Sequence, residues 1–307
     1  MNLNQIKNMR LLTIFTPAYN RAHTIGRTYE SLCRQTCQDF EWLIVDDGST
    51  DHTRELVETW IQEKKIPIRY IYQENQGMHG AHNTAYRNIT TELNTCIDSD
   101  DYMPDDAVEK ICSFWKKHGS DRYAGMVGLD QTENGKIIGT SFPDDMKETT
   151  LSGFYQRGGK GDKKLVYRTD VIRKYPEYPL FEGERYVGLA YKYMLIDLDY
   201  KLLTINEPLV VVEYQEDGSS RNMYKQYWNN PKGFAFFRKT EMLVTHSFRR
   251  KFMVCCHYVS SSILAKNKNF LSESPCKALT VVAIPFGYAL YRLIKYKVKA
   301  DHKMKIG

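Results

Sequence analysis

Short apolar runs alternate with amphipathic stretches through the first third of the chain. Leu11, Leu12, Thr13, Ile14 and Phe15 form a run closed by Thr16-Pro17 and predict a first, buried strand. Ile25, Tyr29 and Leu32 follow at helical spacing, with Thr24 placed to cap them. Glu41-Trp42-Leu43-Ile44-Val45 predicts a second strand, and Leu56, Val57, Trp60 and Ile61 a second helix behind Ser49 or Thr50 as its cap. Residues 68–72 predict a third strand; Gly77 and Gly80 then open a segment through Ala81, Asn83, Ala85 and Tyr86 to Ile89. Residues 93–97 predict a fourth strand. Strands separated by helices of about a dozen residues mean βαβ units, so the expected class is α/β, a Rossmann-like, mostly parallel sheet flanked by helices. Such sheets bind ligands beyond the carboxyl ends of their strands, and here the loop after each of the four strands is polar.

The middle third is less regular. Residues 123–129 predict a strand, Gly135-Lys136-Ile137-Ile138 a hairpin-like return, and Lys164 to Arg168 a return to the sheet before a short helix at Thr169-Asp170. Gly158-Gly159-Lys160-Gly161 lacks the full Gly-x4-Gly-Lys-Ser/Thr pattern and reads as a mobile loop, one that could close over a substrate. Phe181-Glu182-Gly183-Glu184-Arg185 precedes an amphipathic helix bearing Leu189, Tyr193, Ile196 and Leu198. Residues 201–205 and 209–213 look like two closing strands, and from Tyr227 onward the pattern is helical. The expected division is residues 1–222, with halves of about 10–104 and 105–222, followed by a helical extension over 223–307.

Charge sharpens that division. The 307 residues carry a formal net charge of +6, yet residues 245–307 hold twelve Lys/Arg against two Asp/Glu, leaving the remainder at −4. An anionic surface should therefore be met by the tail. Residues 278–290 are almost uncharged but contain Pro285 and Gly287, so the stretch reads as too short and broken for a spanning helix of about 20 residues. Basic residues beside apolar helix faces suit lying on an anionic membrane; the plainer alternative packs these helices on the rest of the protein with their charges solvated. The positive charge is paired with no nucleic-acid-binding motif, so nucleic acid is not an expected partner. The seven cysteines form no CxxC pair and no spacing with histidine that suits a metal. Their odd number suits reduced thiols in the cytoplasm. The first apolar run is too short for a signal peptide.

The densest chemistry lies in Cys96-Ile97-Asp98-Ser99-Asp100-Asp101-Tyr102-Met103-Pro104, where three carboxylates fall within four residues past the fourth strand. Pro104 should sit at or near the first position of a helix bearing Val108, Ile111, Cys112 and Trp115. Carboxylates so concentrated repel one another unless a cation neutralises them. Hard oxygen ligands suit Mg²⁺ or Mn²⁺, which commonly carry substrate phosphates in their remaining positions. The plain alternative is a solvated acidic turn capping the next helix. On neighbouring loops, Asp47 could accept from a pyrimidine N–H, Tyr19 could stack on the base, and Asp98 or Asp100 could reach a ribose. Asp46-Asp47-Gly48-Ser49 alone is also ordinary turn and cap chemistry.

Taken in order, Thr16-Pro17-Ala18-Tyr19-Asn20, Val45-Asp46-Asp47-Gly48-Ser49-Thr50-Asp51, Asn75-x-Gly77 with Ala81-x-Asn83, and Asp98-Ser99-Asp100-Asp101 resemble the family 2 inverting glycosyltransferases over roughly residues 10–220. The resemblance implies an A-type glycosyltransferase (GT-A) fold in residues 1–222, a nucleotide-sugar donor, UDP-linked by expectation, and a divalent cation, Mn²⁺ or Mg²⁺. It implies base recognition by Tyr19 and Asp47, donor contacts from Pro17, Asn75 and Gly77, ribose contact by Asp98, and metal binding by Asp100, with Asp98 and Asp101 as further candidates. Ser220 and Arg221 would touch the diphosphate. Met78 stands where many members carry a basic residue, so that contact is missing or falls to His79. Many members carry Glu-Asp where this chain has Glu184-Arg185; Glu184 is then the expected base, with Glu182 in reserve. Alternatively both glutamates complement a helix N-terminus. The implied acceptor is a glycan or lipid-linked saccharide in surface polysaccharide assembly, the location cytoplasmic and peripheral on the inner face of the cell membrane. The competing readings are a nucleotidyltransferase, which should show a glycine-rich basic loop after its first strand, and a non-catalytic nucleotide-sugar or membrane-binding module.

Overall fold

The computed structural model describes residues 10–213 and 223–304, with side chains to residue 300. The chain divides into two compact units, Met1–Pro176 with Ile196–Tyr214, and Glu177–Leu195 with Gln215–Gly307. Residues 177–195 thus group with the C-terminal helices.

In the first unit β1 (Leu12–Ala18), β2 (Phe40–Asp46), β3 (Ile68–Tyr72) and β4 (Leu93–Cys96) are parallel, and the helices α1 (Ile25–Cys33), α2 (Thr53–Glu63) and α3 (Met78–Asn88) connect them. After α4 (Ala107–His118) come β5 (Tyr123–Gln131), β6 (Glu148–Thr149), α5 (Leu151–Gln156), β7 (Lys163–Arg168), α6 (Thr169–Lys174) and, behind α7 (Ala190–Asp199) that crosses the boundary of the two units in sequence, β8 (Lys201–Val211). One eight-stranded sheet results, in the order β3-β2-β1-β4-β7-β5-β8-β6. β7 runs antiparallel to both β4 and β5, and β5 runs parallel to β8. The carboxyl ends of β1 to β5 and β8 therefore share one edge with the amino end of β7.

Strands buried on both faces explain the unbroken apolar runs. Leu12, Ile14, Trp42, Ile44 and Leu93 are fully buried, and Val57, Trp60, Ile111 and Trp115 close over them from the helices. Tyr29 stacks on Trp60 with ring centroids 4.4 Å apart. Each such side chain contributes about 1.5–3 kcal/mol by leaving water.

Several local expectations are corrected. Thr24 makes no side-chain cap bond, and α2 begins behind His52 because Ser49 and Thr50 are engaged by Asn20 instead. Pro104 lies in a turn whose carbonyl accepts from Ala107, and α4 starts there behind Asp106. The two closing strands are one, β8, carried past Pro208 by register shifts against β5 that spare the proline a ladder bond. The glycine loop expected to be mobile is tied down. Lys163 Nζ donates to the carbonyls of Ile138, Lys160 and Asp162 at 3.1, 3.0 and 3.0 Å, and Tyr155 OH donates to that of Gly161.

From Met223 onward the second unit is a series of helices: α8 (Met223–Asn229), α9 (Pro231–Val244), α10 (Phe248–Leu264), α11 (Phe270–Glu273) and α12 (Lys277–Met304). Met242, Val254, Cys255, Tyr258 and Ala283 form its core. The stretch expected to be broken at Pro285 is part of the 28-residue α12. Packing against α10 explains the continuity: a Cβ at Gly287 would lie 2.5 Å from Val259 Cβ, so the two helices touch where a side chain would separate them. Residues 277–300 of α12 are long and apolar enough to cross a membrane, their most apolar 18-residue stretch having mean hydropathy 1.3.

Candidate active site

The loops after β1 and β2 are knitted together. Asp47 N donates to Ala18 O, Asn20 N to Ser49 Oγ, Thr50 N to Asn20 Oδ1, and Arg21 N to Thr53 Oγ1, all at 2.8–2.9 Å. Asn20 takes a left-handed conformation (φ 54°) to make this exchange, which asparagine tolerates better than most residues. Pro17 is buried at the end of β1, whereas Tyr19, 48% exposed, presents its ring to solvent.

Asp47, only 3% exposed, holds the loop after β3. Its Oδ1 accepts from Gln73 Nε2 and Gln76 N at 2.7 and 2.8 Å, and its Oδ2 from Gly77 N at 2.8 Å. This loop carries Asn75, whose backbone N lies 2.9 Å from where a Cβ at Gly48 would stand; with φ at 84°, Gly48 has to be glycine. Asp46 keeps its own turn by accepting from Ser49 N and Tyr70 OH. Gly77 ends the loop at the start of α3, leaving Met78 exposed and His79 buried.

The acidic turn follows β4, whose register continues as Ile97 N donates to Phe15 O at 2.9 Å. It is pinned to the carboxyl end of β8, where Tyr102 and Val211 exchange backbone bonds of 3.1 and 2.7 Å. Asp101, 8% exposed, turns inward; its Oδ1 accepts from Glu213 N at 3.2 Å, and its carbonyl accepts from Thr28 Oγ1. Burial raises its pKa to about 8, and the Asp98 charge adds to the rise. Asp98 opens to solvent on one side, but the protein crowded round its other side raises its pKa too; Lys164 and Arg21 oppose the rise and Asp100 adds to it. Asp100 is half-buried on the same turn.

Two charged residues that the motifs did not single out stand at this edge. Lys164, at the amino end of β7, donates to Cys96 O, and its charge counters the rise at Asp98 and Asp101. Asp130, near the carboxyl end of β5, is 5% exposed with a pKa raised to about 6 by burial. The rule that led to Asp98, a carboxylate beyond the end of a strand, applies equally to Asp130. Lys164 had a signal as well, a second lysine inside a run bound for a buried sheet.

Among the described residues no three Asp, Glu, His or Cys side chains are grouped to enclose a metal ion by themselves. The donor set at the turn nevertheless fits a hard cation held by one or two carboxylates with phosphate and water completing its shell. Asp98 and Asp100 would supply the oxygens, and a cation there would relieve the repulsion that Asp100 exerts on Asp98.

In the second unit Glu184 is 7% exposed and closes the N-terminus of α9. Its Oε1 and Oε2 accept from Lys232 N and Gly233 N at 2.9 and 2.8 Å, satisfying two orphan donors just past Pro231. Arg185 donates its backbone N to Asn230 Oδ1 and its guanidinium to the Glu184 carbonyl. Glu182 is exposed, two residues before Glu184. Ser220 and Arg221 lie outside the described residues. A cleft of about 530 Å³, lined by Glu92, Trp115, Arg168 and Arg173 among others, opens at the opposite sheet edge and holds none of these residues.

The fold has close counterparts. The crystal structure of S. aureus TarS 1–349 in complex with UDP-GlcNAc matches with a TM-score of 0.59 at 18% identity, covering 89% of this chain and 79% of that one. The mannosyltransferase PcManGT of Pyrobaculum calidifontis, in complex with GDP-Man and Mn²⁺, matches at 0.53 and 16% identity over 96% and 80%. The molecule thus has the GT-A-like fold, a mostly parallel sheet between helices with a C-terminal helical extension. Residues 13–175, more than half of the chain, match glycosyl transferase family 2, and the chain belongs to that family.

Curated relatives include the chondroitin synthase of Escherichia coli, 40% identical over 113 residues (36% of this chain and 16% of that protein). An uncharacterized glycosyltransferase of Nostoc is 30% identical over 170 residues, 53% and 52% of the two chains. The hyaluronan synthase of Pasteurella multocida is 36% identical over 106 residues, 34% and 11%. The chain spans from about a tenth to about half of the length of these relatives.

Proposed function

We propose that this chain is a metal-dependent, inverting glycosyltransferase that moves a hexose-type sugar from a UDP-linked donor to an acceptor hydroxyl. The observation that carries the reading is the acidic turn of Asp98, Asp100 and Asp101, pinned at the carboxyl edge beside the knitted loops of Tyr19, Asp47 and Asn75. The base is read by Tyr19 and Asp47, with Pro17, Asn75 and Gly77 shaping the pocket, and the ribose by Asp98. Asp100, with Asp98 or Asp101, holds Mn²⁺ or Mg²⁺. When bound, that ion supplies charge neutralisation for the leaving diphosphate. Ser220 and Arg221 add polar contacts to the same diphosphate.

Inversion needs the acceptor oxygen to attack the anomeric carbon from the side opposite the departing diphosphate, while a base takes the hydroxyl proton. Glu184 is that base, with Glu182 as the alternate. Lys232 N and Gly233 N hold the Glu184 carboxylate in place, and each oxygen of a carboxylate can accept more than one bond. The acceptor is a glycan or lipid-linked saccharide in surface polysaccharide assembly at the cytoplasmic face of the membrane.

α12 supports that location. Thr280, Ala283, Gly287 and Ile294 are buried along one face, while Val281, Val282, Phe286, Leu293 and Tyr296 are exposed along the opposite one. Arg292, Lys295, Lys297 and Lys299 follow and complement anionic headgroups. A helix apolar on both faces is suited to contact with protein on one and lipid on the other.

The test is transfer from labelled UDP-sugars with Mn²⁺ by wild-type protein, E184Q and E182Q. Turnover in the wild type, a loss of about a hundredfold or more in E184Q and near-normal turnover in E182Q are expected. The reverse pattern would move the base to Glu182, and wild-type protein that neither transfers nor hydrolyses any donor would contradict the reading.

A further inference from the structure

Lys164 and Asp130 have no role in the reading above, yet both are buried at the edge it uses, 9% and 5% exposed. Lys164 pairs with Gly128 across the β5–β7 ladder, and Asp130 lies two residues beyond Gly128 on β5. Side chains directly opposite one another, or two apart on one strand, leave the same face of a sheet, so Lys164 and Asp130 emerge together. Their charges act on one another, and both act on Asp98.

Among the described residues neither side chain is fully satisfied: Lys164 Nζ, with three hydrogens, donates only to Cys96 O, and Asp130 Oδ1 has no hydrogen-bond partner. No ion pair within 4.0 Å joins the two. Buried polar atoms are nearly always paired, and an ammonium and a carboxylate left apart at a ligand-binding edge are completed by what binds there. Their opposite signs restrict its chemistry. Asp130 repels a phosphate and Lys164 repels an amine. A neutral hydroxyl can donate to Oδ1 and accept from Nζ at once.

We propose that Asp130 and Lys164 read a hydroxyl of the sugar being transferred, and so help decide which sugar the enzyme accepts. This rests on the donor site proposed above. Asp130 is the residue to test, because replacing Lys164 also changes the balance of charge at Asp98 and Asp101.

Binding is measured by calorimetry with Mn²⁺ on the full chain, for wild type, D130N and D130A. The probes are UDP-glucose, UDP-galactose, UDP-GlcNAc and GDP-mannose, each beside its free nucleoside diphosphate. D130A is expected to weaken the best nucleotide-sugar roughly ten- to hundredfold while moving the matching free nucleotide less than about twofold. D130N should lose sugar affinity with an unchanged or higher Tm, because it removes a buried charge; a structural role would lower the Tm instead. Sugar affinity that survives in D130A, or sugar and nucleotide affinities that fall together, overturns the assignment and leaves the donor site standing. Wild-type protein that binds none of the probes overturns the donor site and this assignment with it.

Discussion

At the scale of single residues, the site is built from carboxylates that protein already uses. Asp46 accepts from Ser49 N in its own turn, Asp47 from Gln76 N and Gly77 N in the loop after β3, and Asp101 turns inward to Glu213 N. Asp98 and Asp100 are the ones left facing outward. Sequence spacing gathered all five but could not say which point inward, since that depends on where β3 and β8 end. Asp130 escaped because it stands alone. Its folded pKa of about 6, against 3.8 unfolded, carries a consequence for stability. A pKa raised on folding stabilises the protein below about pH 4, and that contribution fades as the pH rises through about 6. D130N lacks this term. Its stability relative to wild type should therefore grow between pH 4 and pH 7, by up to about 3 kcal/mol if the whole shift is expressed. Chemical denaturation of both proteins across that range checks this; a pH-independent difference would contradict it.

At the scale of elements, β1 and β2 were legible because each is a short apolar run buried on both faces and closed by turn residues, and β3 and β4 because each is short and bounded by turns, β3 being a half-buried edge strand. β8 was split in two because Pro208 interrupts it, and only the register shift against β5 shows how a strand passes a proline. α12 was judged broken at Pro285 because its packing on α10 is a tertiary fact. The base candidate is the most instructive case. Glu184 was expected at the start of the following helix, yet it caps α9, nearly fifty residues further on. Truncation at this position should therefore touch stability as well as activity. E184A should lose about 1–2 kcal/mol with its cap, whereas E182A, at an exposed position, should stay within about 0.5 kcal/mol of wild type. Urea denaturation of the two variants decides it, and equal stability would remove the capping role.

At the scale of the whole molecule, charge and apolar surface separate along the sequence. Residues 245–307 carry ten of the positive charges in excess, and α12 exposes Val282, Phe286 and Tyr296 beside them. Sedimentation with phosphatidylcholine vesicles containing 30% phosphatidylglycerol should carry the protein down, less so in V282D/F286D or in high salt. Equal sedimentation with and without the anionic lipid would contradict the headgroup contribution. The composition foretold a basic tail, but not that one face of its last helix stays apolar and uncovered.

The central claim is that outward-facing carboxylates past β4 grip a cation that holds the donor's phosphates. Calorimetric titration of UDP-sugar into wild type and D100N, each with and without Mn²⁺, tests it most directly. Mn²⁺ should tighten donor binding to wild type by at least about tenfold and leave D100N nearly unchanged. Donor binding indifferent to Mn²⁺ in the wild type, or an equal gain in D100N, would contradict the account.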